Sequence, residues 1–329
     1  MIITKTPVRI SFFGGGTDYP DYFLKHGGAT LSTTIDKYVF VTVHPVPKFA
    51  DWNLRLFYSK VETVKDLEEI EHIHARECLR FLGIKSGIEI HYIAHLPARV
   101  GVGSSSAATV GLLHALHAFK GEIVTKQQLA EEAVYIEQEM VKERIGCQDQ
   151  YAAAIGGLLH LEFSPEKQVR VNPLVLSKDR LDALDKRLML FYTGIQRTAH
   201  EVLEEQIQKT KSGANDEYLH KMKESVHEGI DILKCGRDLR EFGELLHVNW
   251  VLKRKLSDKV STPEIDELYE RARKAGALGG KITGAGGGGF LLLYVEPENQ
   301  NKVRKAVPEL REAEFSFENS GSQLIFFHP

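Results

Sequence analysis

Residues 96–108 read L-P-A-R-V-G-V-G-S-S-S-A-A, a composition suited to holding an anion. Gly101 and Gly103, on either side of Val102, remove side chains so that backbone N–H groups can close on a phosphate. Ser104, Ser105 and Ser106 add hydroxyls and helix-capping oxygens. The A-A-T-V-G-L-L-H-A-L that follows is helical in pattern, so its positive dipole end points at the bound group. A Walker loop requires G-x-x-x-x-G-K-[ST], and no Lys follows the second glycine here; a dinucleotide fingerprint requires a third glycine where position 106 is Ser. Taken alone, the stretch also reads as a Gly/Ser turn that merely starts a helix.

Further segments add to it. Residues 7–19, P-V-R-I-S-F-F-G-G-G-T-D-Y, form an alternating strand that breaks into three glycines, with Arg9 in the strand and Gly15, Gly16, Thr17 and Asp18 in the break. Glycines let backbone approach a ligand closely, and a carboxylate can accept two hydroxyl hydrogen bonds, so this break suits a polyol. Residues 281–294, K-I-T-G-A-G-G-G-G-F-L-L-L-Y, make a second glycine loop that includes Gly286 and Gly287 and runs into an apolar strand. In the predicted helix 125–142, Glu137 falls in an apolar stripe with Leu129, Ala130, Ala133, Val134 and Val141. An inward carboxylate needs a partner, either a metal ion or a nearby Lys or Arg. Twelve residues on, Asp149 lies in I-G-C-Q-D-Q, just beyond the predicted end of that helix, where it can also cap a following helix. Arg197 in G-I-Q-R-T-A-H and Lys253 in N-W-V-L-K are single cations for which a solvated surface role is equally open.

The order of the three glycine motifs resembles the galactokinase, homoserine kinase, mevalonate kinase and phosphomevalonate kinase (GHMP) superfamily over nearly the whole chain. The resemblance implies an α+β, two-domain fold: an N-terminal domain like domain 2 of ribosomal protein S5, and a C-terminal ferredoxin-like domain. It implies an ATP-dependent phosphotransferase with an alcohol acceptor. Gly101–Ser106 bind ATP with the support of Gly286 and Gly287, and Ser105 and Glu137 bind Mg²⁺. Asp149 orients the acceptor hydroxyl beside Arg9, whose cation makes that carboxylate an orienting group more than a strong base. Gly15, Gly16, Thr17 and Asp18 bind the sugar, and Arg197 and Lys253 are candidates for a substrate phosphate. Galactokinase has Glu-His where this chain has Gly15-Gly16. The G-G-G-T-D-Y form is more similar to bacterial kinases of D-glycero-D-manno-heptose 7-phosphate and to fucose kinase domains, which implies transfer to an anomeric hydroxyl. A 1-kinase for L-fucose or a galactose-like sugar, and a non-catalytic sugar-binding regulator, are the alternatives.

Composition agrees. With 329 residues the chain has room for two ordinary domains, expected at 1–180 and 181–329. A net charge of -3 gives no nucleic-acid footprint. The longest apolar runs are too short to span a bilayer, and the first residues lack a signal-peptide core, so a cytoplasmic protein without a membrane partner is expected. Three widely spaced cysteines point to reduced thiols, and 14 histidines show no zinc-site spacing. ATP and a small sugar or sugar phosphate are the expected partners, with homodimerisation left open. Hydrophobic periodicity predicts strands over 2–13, 28–46, 54–58, 88–95, 157–163 and 188–192, and helices over 66–82, 105–119 and 125–142. A mostly helical tract follows over 198–275, and then strand, helix and strand.

Overall fold

The structure, a computed structural model, describes every residue except Lys48, Arg99, 196–198 and Pro329, and only the backbone of 199–202. Two sheets organise the described residues. The first has nine strands and is built around the long pair Ile2–Phe13 and Gly28–Pro45, which run antiparallel. Pro7 cannot donate to a ladder, and the register shifts between Pro7 and Val8. Two residues later the Arg9 amide donates to Val102 O at 2.9 Å, tying the strand to the glycine loop before the helix Ser104–Phe119. The helix Ser104–Phe119 lies across this pair. Thr4 Oγ1 donates to Gly111 O at 2.8 Å, an approach that a side chain at 111 would block, since its Cβ would stand 2.8 Å from Thr6 Oγ1.

The second sheet has the spatial order Arg311–Glu312, Leu188–Tyr192, Phe290–Val295, Ala277–Ile282. Helices separate the first of these strands in sequence from the second, and Gln300–Ala306 separates the third from the fourth. The result is the split β-α-β-β-α-β of a ferredoxin-like unit. Its core includes Phe191, Trp250, Tyr269 and Leu293. The helices hold their ends by ordinary chemistry: Thr262 Oγ1 accepts from Ile265 N ahead of Pro263, and Thr125 Oγ1 accepts from Gln128 N.

The helix Leu239–Arg254 lies on Ala277–Ile282 and also reaches the first sheet, where Phe242 meets Phe12 and Phe13 edge-to-face at 5.3 and 5.0 Å. The strands Phe317–Glu318 and Gln323–Phe327 rejoin the first sheet. A division at 180/181 would assign this tail to the C-terminal domain, whereas its strands pair with the first sheet. None of the described helices is long and apolar enough to cross a membrane.

Candidate active site

Where the two sheets meet, the glycine segments pack on one another. Gly101 and Gly103 have φ of +79° and +72°, the left-handed region that side chains avoid. A Cβ on Gly101 would lie 2.5 Å from Thr283 O, one on Gly284 2.5 Å from Gly101 Cα, and one on Gly289 2.4 Å from Val100 O. Thr283, Gly284 and Gly289 thus buttress the phosphate loop from behind. Gly286 and Gly287, expected in that role, instead pack on Val260, whose carbonyl accepts from the Gly287 amide at 2.8 Å.

Arg9 is 4 % exposed and joins the loop to the acidic group. Its Nε and Nη2 donate to Asp149 Oδ1 and Oδ2 at 2.7 and 2.8 Å, and Nη1 donates to Gly101 O at 2.7 Å. Such a fork fixes the carboxylate in position and plane. Asp149 lies inside the first turn of a helix, Gln148–Ile155, and not in a loop after the preceding one. A following helix is present, as the alternative reading expects, but its N-cap is Cys147, which supplies no side-chain hydrogen bond, and not Asp149. Burial raises the Cys147 thiol to about 12, which makes it inert.

Glu137 is fully buried, as its stripe position predicts, but the single expected helix becomes a π-helical turn at Ile136–Met140 after Lys126–Tyr135. Its Oε2 accepts from Gln150 Nε2 and, at 2.9 Å, from Ser106 Oγ. Oε1 is buried with no donor at hydrogen-bond geometry. Burial pushes this carboxyl up, opposed by His74 and by Thr109, Gln150 and Ser106. The serine brought to Glu137 is Ser106; Ser105 points outward on the same first turn because successive helical residues are turned by about 100°. Ser104 is half-buried at the helix start.

Asp18 is 1 % exposed. Oδ1 accepts from the Gly16 amide at 2.9 Å and Oδ2 from the Gln148 amide at 3.3 Å. Burial raises its pKa, the Gly16 amide opposes that, and the Asp149 charge adds to it. A Cβ at Gly146 would sit 1.9 Å from Asp18 Oδ2, so that glycine is a condition of the arrangement. Thr17, expected at the substrate, does other work. Its hydroxyl donates towards Gly14 O and Ala29 O, both at 2.8 Å, and accepts from Ala29 N, which uses up the group in holding the loop. Gly15 lies beside Ser11 and Gln148, and Gly16 beside Gln206.

Lys253 is buried, not a surface cation, and donates to Gly284 O. Burial, with the Arg9 charge, lowers its pKa to about 8, against the pull of Asp18 and Asp149. Lys281 carried no assignment in the sequence reading. It is also buried, and its Nζ donates to Ser11 O at 2.8 Å and Phe12 O at 3.2 Å. Burial and the charges of Lys253 and Arg9 hold its pKa far below the usual lysine value. A lysine between Gly280 and Ile282 in a buried strand was the available signal. Arg9, Lys253 and Lys281 lie among the carboxylates of Asp18 and Asp149 beside a helix N-terminus, a set of N–H donors that suits phosphate. Arg197 lies outside the described residues.

Sequence comparison now decides the family. Residues 67–157 match the GHMP kinases N terminal domain, and residues 222–312 match GHMP kinases C terminal. The chain belongs to the GHMP kinases. It is a phosphotransferase with an alcohol acceptor, and its α+β fold is the family's. It is 30% identical to a D-glycero-alpha-D-manno-heptose 7-phosphate kinase of Campylobacter jejuni over 97% of each chain. It is 26% identical to an L-fucokinase/L-fucose-1-P guanylyltransferase of Bacteroides fragilis, over 97% of this chain and 38% of that one. The fold is similar to that of a D-glycero-D-manno-heptose 1-phosphate kinase from Bacteroides thetaiotaomicron, with a TM-score of 0.80, 24% identity and all of both chains covered. A Lactococcus lactis galactokinase complexed with galactose superposes with a TM-score of 0.78 at 19% identity, over 98% of this chain and 94% of that one.

Proposed function

We propose that this chain is an ATP- and Mg²⁺-dependent sugar kinase of the cytoplasm. In this reading it transfers a phosphoryl group to the anomeric hydroxyl of D-glycero-D-manno-heptose 7-phosphate, giving the 1,7-bisphosphate. The observation that carries the reading is the Arg9 guanidinium, which bonds Asp149 twice and the phosphate-loop residue Gly101 once. One side chain thereby sets the acceptor-orienting carboxylate at a fixed distance from the nucleotide phosphates. Phosphoryl transfer proceeds through a loose transition state that gains more from position and charge than from strong base catalysis.

In this reading the amides and hydroxyls of 101–106 hold the nucleotide phosphates. Asp149 accepts the hydrogen bond of the attacking hydroxyl and takes its proton late. Asp18, held by two amides, accepts from ring hydroxyls. The buried Oε1 of Glu137 and the Ser106 hydroxyl beside its Oε2 are hard oxygens that suit Mg²⁺, and Ser105, exposed on the same turn, would have to reach the ion from the open side of the site. When bound, the ion supplies charge neutralisation at the transferring phosphates. Lys253, bonded to the loop that buttresses Gly101, sits at the transfer end of the site and is assigned to the charge developing there. Arg197 remains the candidate for the 7-phosphate.

The identity of the heptose kinase relative over nearly the full chain supports the sugar phosphate as acceptor. The test is a panel of heptose 7-phosphate, L-fucose, galactose and mevalonate, with ADP release measured and the product read by phosphorus NMR. The reading predicts an anomeric phosphate on the heptose and at least about a hundredfold lower kcat/KM elsewhere, of the order expected when buried polar groups are left unpaired. Efficient turnover of a free hexose with none of the heptose phosphate would defeat the substrate and leave the kinase standing.

A further inference from the structure

On the face of the first sheet turned away from its helices, three side chains from two adjacent strands converge. His44 is directly opposite Glu89 in the antiparallel pair of Gly28–Pro45 with Ile88–Ala94, and His91 follows Glu89 by two residues, on the same face. Their neighbours Val43, Ile88 and Ile90 point the other way into the core, which fixes the alternation. His44 Nε2 lies 3.2 Å and His91 Nε2 2.8 Å from one and the same oxygen, Glu89 Oε1. All three candidate ligand atoms lie within 4.8 Å of one another.

The surroundings orient these groups. His44 Nδ1 faces Pro45 O at 3.3 Å, a carbonyl to which it can donate when Nε2 takes a metal ion. The His91 ring stacks on Phe57 from the next strand, with centroids 4.2 Å apart and planes 5° apart. Glu89 divides its oxygens: Oε2 faces the Arg55 guanidinium at 3.9 Å, and Oε1 is left to the imidazoles. Arg55 in turn is held over Phe57 and Trp52.

We infer that His44, Glu89 and His91 form a binding site for a divalent transition-metal ion such as Zn²⁺ or Co²⁺, separate from the phosphotransfer centre. Bonds of about 2.0–2.1 Å at tetrahedral angles place ligand atoms about 3.3 Å apart, close to the His44–Glu89 separation. The His91 nitrogen, now 2.8 Å from Glu89 Oε1, must move outward by roughly 0.5 Å, and the two imidazole nitrogens, within 4.8 Å of each other, must take up the same spacing. Two imidazoles and one carboxylate suit zinc-like ions and not Mg²⁺, which takes oxygens. The carbonyl behind His44 is the kind of outer partner that fixes a ligating imidazole. With three protein ligands on an open sheet face, a fourth position is left for water.

The test uses the full chain without ATP or Mg²⁺, titrated with Zn²⁺ by calorimetry and with Co²⁺ by its visible absorption. One equivalent should bind, Zn²⁺ should raise the melting temperature, and the Co²⁺ spectrum should be four- or five-coordinate. His44→Ala and His91→Ala should each weaken binding at least about tenfold, by analogy with the effect of outer-shell losses. Both should abolish the thermal shift and leave kinase turnover unchanged. Both rings are about one-third exposed, so the variants are expected to fold, and their metal-free melting curves check this. Absence of stoichiometric binding, or binding equally tight in both variants, would overturn the inference. The second result would place the metal elsewhere.

Discussion

Replacing Gly101 by Ala tests whether the two glycine loops act as one nucleotide-binding unit. At φ +79° an alanine pays the left-handed penalty of roughly 1–2 kcal/mol. Its Cβ would also stand 2.5 Å from Thr283 O, whereas ordinary contact begins at 3.4 Å, so the buttressing strand end must retreat by roughly 0.9 Å. Displacing packed backbone costs a further ~1–3 kcal/mol. Gly121 is the control: its φ is +74° with nothing within 4 Å of a Cβ, so Gly121→Ala pays only the first penalty. Calorimetric titration with a non-hydrolysable ATP analogue reads the difference. If half of the second cost falls on the nucleotide-bound form, ~0.5–1.5 kcal/mol, Gly101→Ala binds about 2- to 12-fold more weakly, since 1.4 kcal/mol is a factor of ten. Gly121→Ala should stay within about twofold of wild type. Affinity within twofold of wild type in Gly101→Ala would refute the idea that Thr283 and Gly284 support the phosphate site.

Other consequences follow from single groups. Glu137→Gln should raise the Mg²⁺ concentration for half-maximal turnover at least about tenfold, with smaller shifts for Ser106→Ala and Ser105→Ala; an unchanged Mg²⁺ curve in the Glu137 variant removes the metal from that position. Lys253, with a pKa near 8, loses its charge as pH rises through that value. Activity should therefore fall on the alkaline side near pH 8 in wild type and not in Lys253→Arg. The same depressed lysine costs stability at low pH, where it must be charged while buried. The unfolded side chain titrates near 10.5, so stability should rise between about pH 8 and 10.5. An alkaline limb identical in Lys253→Arg would take this lysine out of the transfer step.

What could be read in the chain beforehand follows the range of the forces involved. The phosphate loop and the stripe holding Glu137 are local patterns, demanding in residue type and spacing, and both appear where expected. Which serine meets Glu137 depends on the rotation of one helix against another, and spacing does not specify it. Lys253 reads equally well as a substrate cation or a solvated surface charge because its burial comes from packing Leu239–Arg254 against Ala277–Ile282 and the Gly284 loop. Thr17 reads as a ligand group because its partners, Gly14 and Ala29, meet only once the loop folds back on the second strand. The return of Gln323–Phe327 to pair with Ile2–Lys5 joins the two ends of the chain and leaves no local signature.

In the proposed reaction the Asp149 carboxylate, held by Arg9 against Gly101, orients the acceptor hydroxyl. The most direct test is the initial rate of ADP release with heptose 7-phosphate for wild type and Asp149→Asn, alongside ATP-analogue binding to both. The predicted result is a loss of about 10²–10⁴ in kcat with nucleotide affinity kept within a few-fold. Near wild-type turnover in Asp149→Asn would contradict the account.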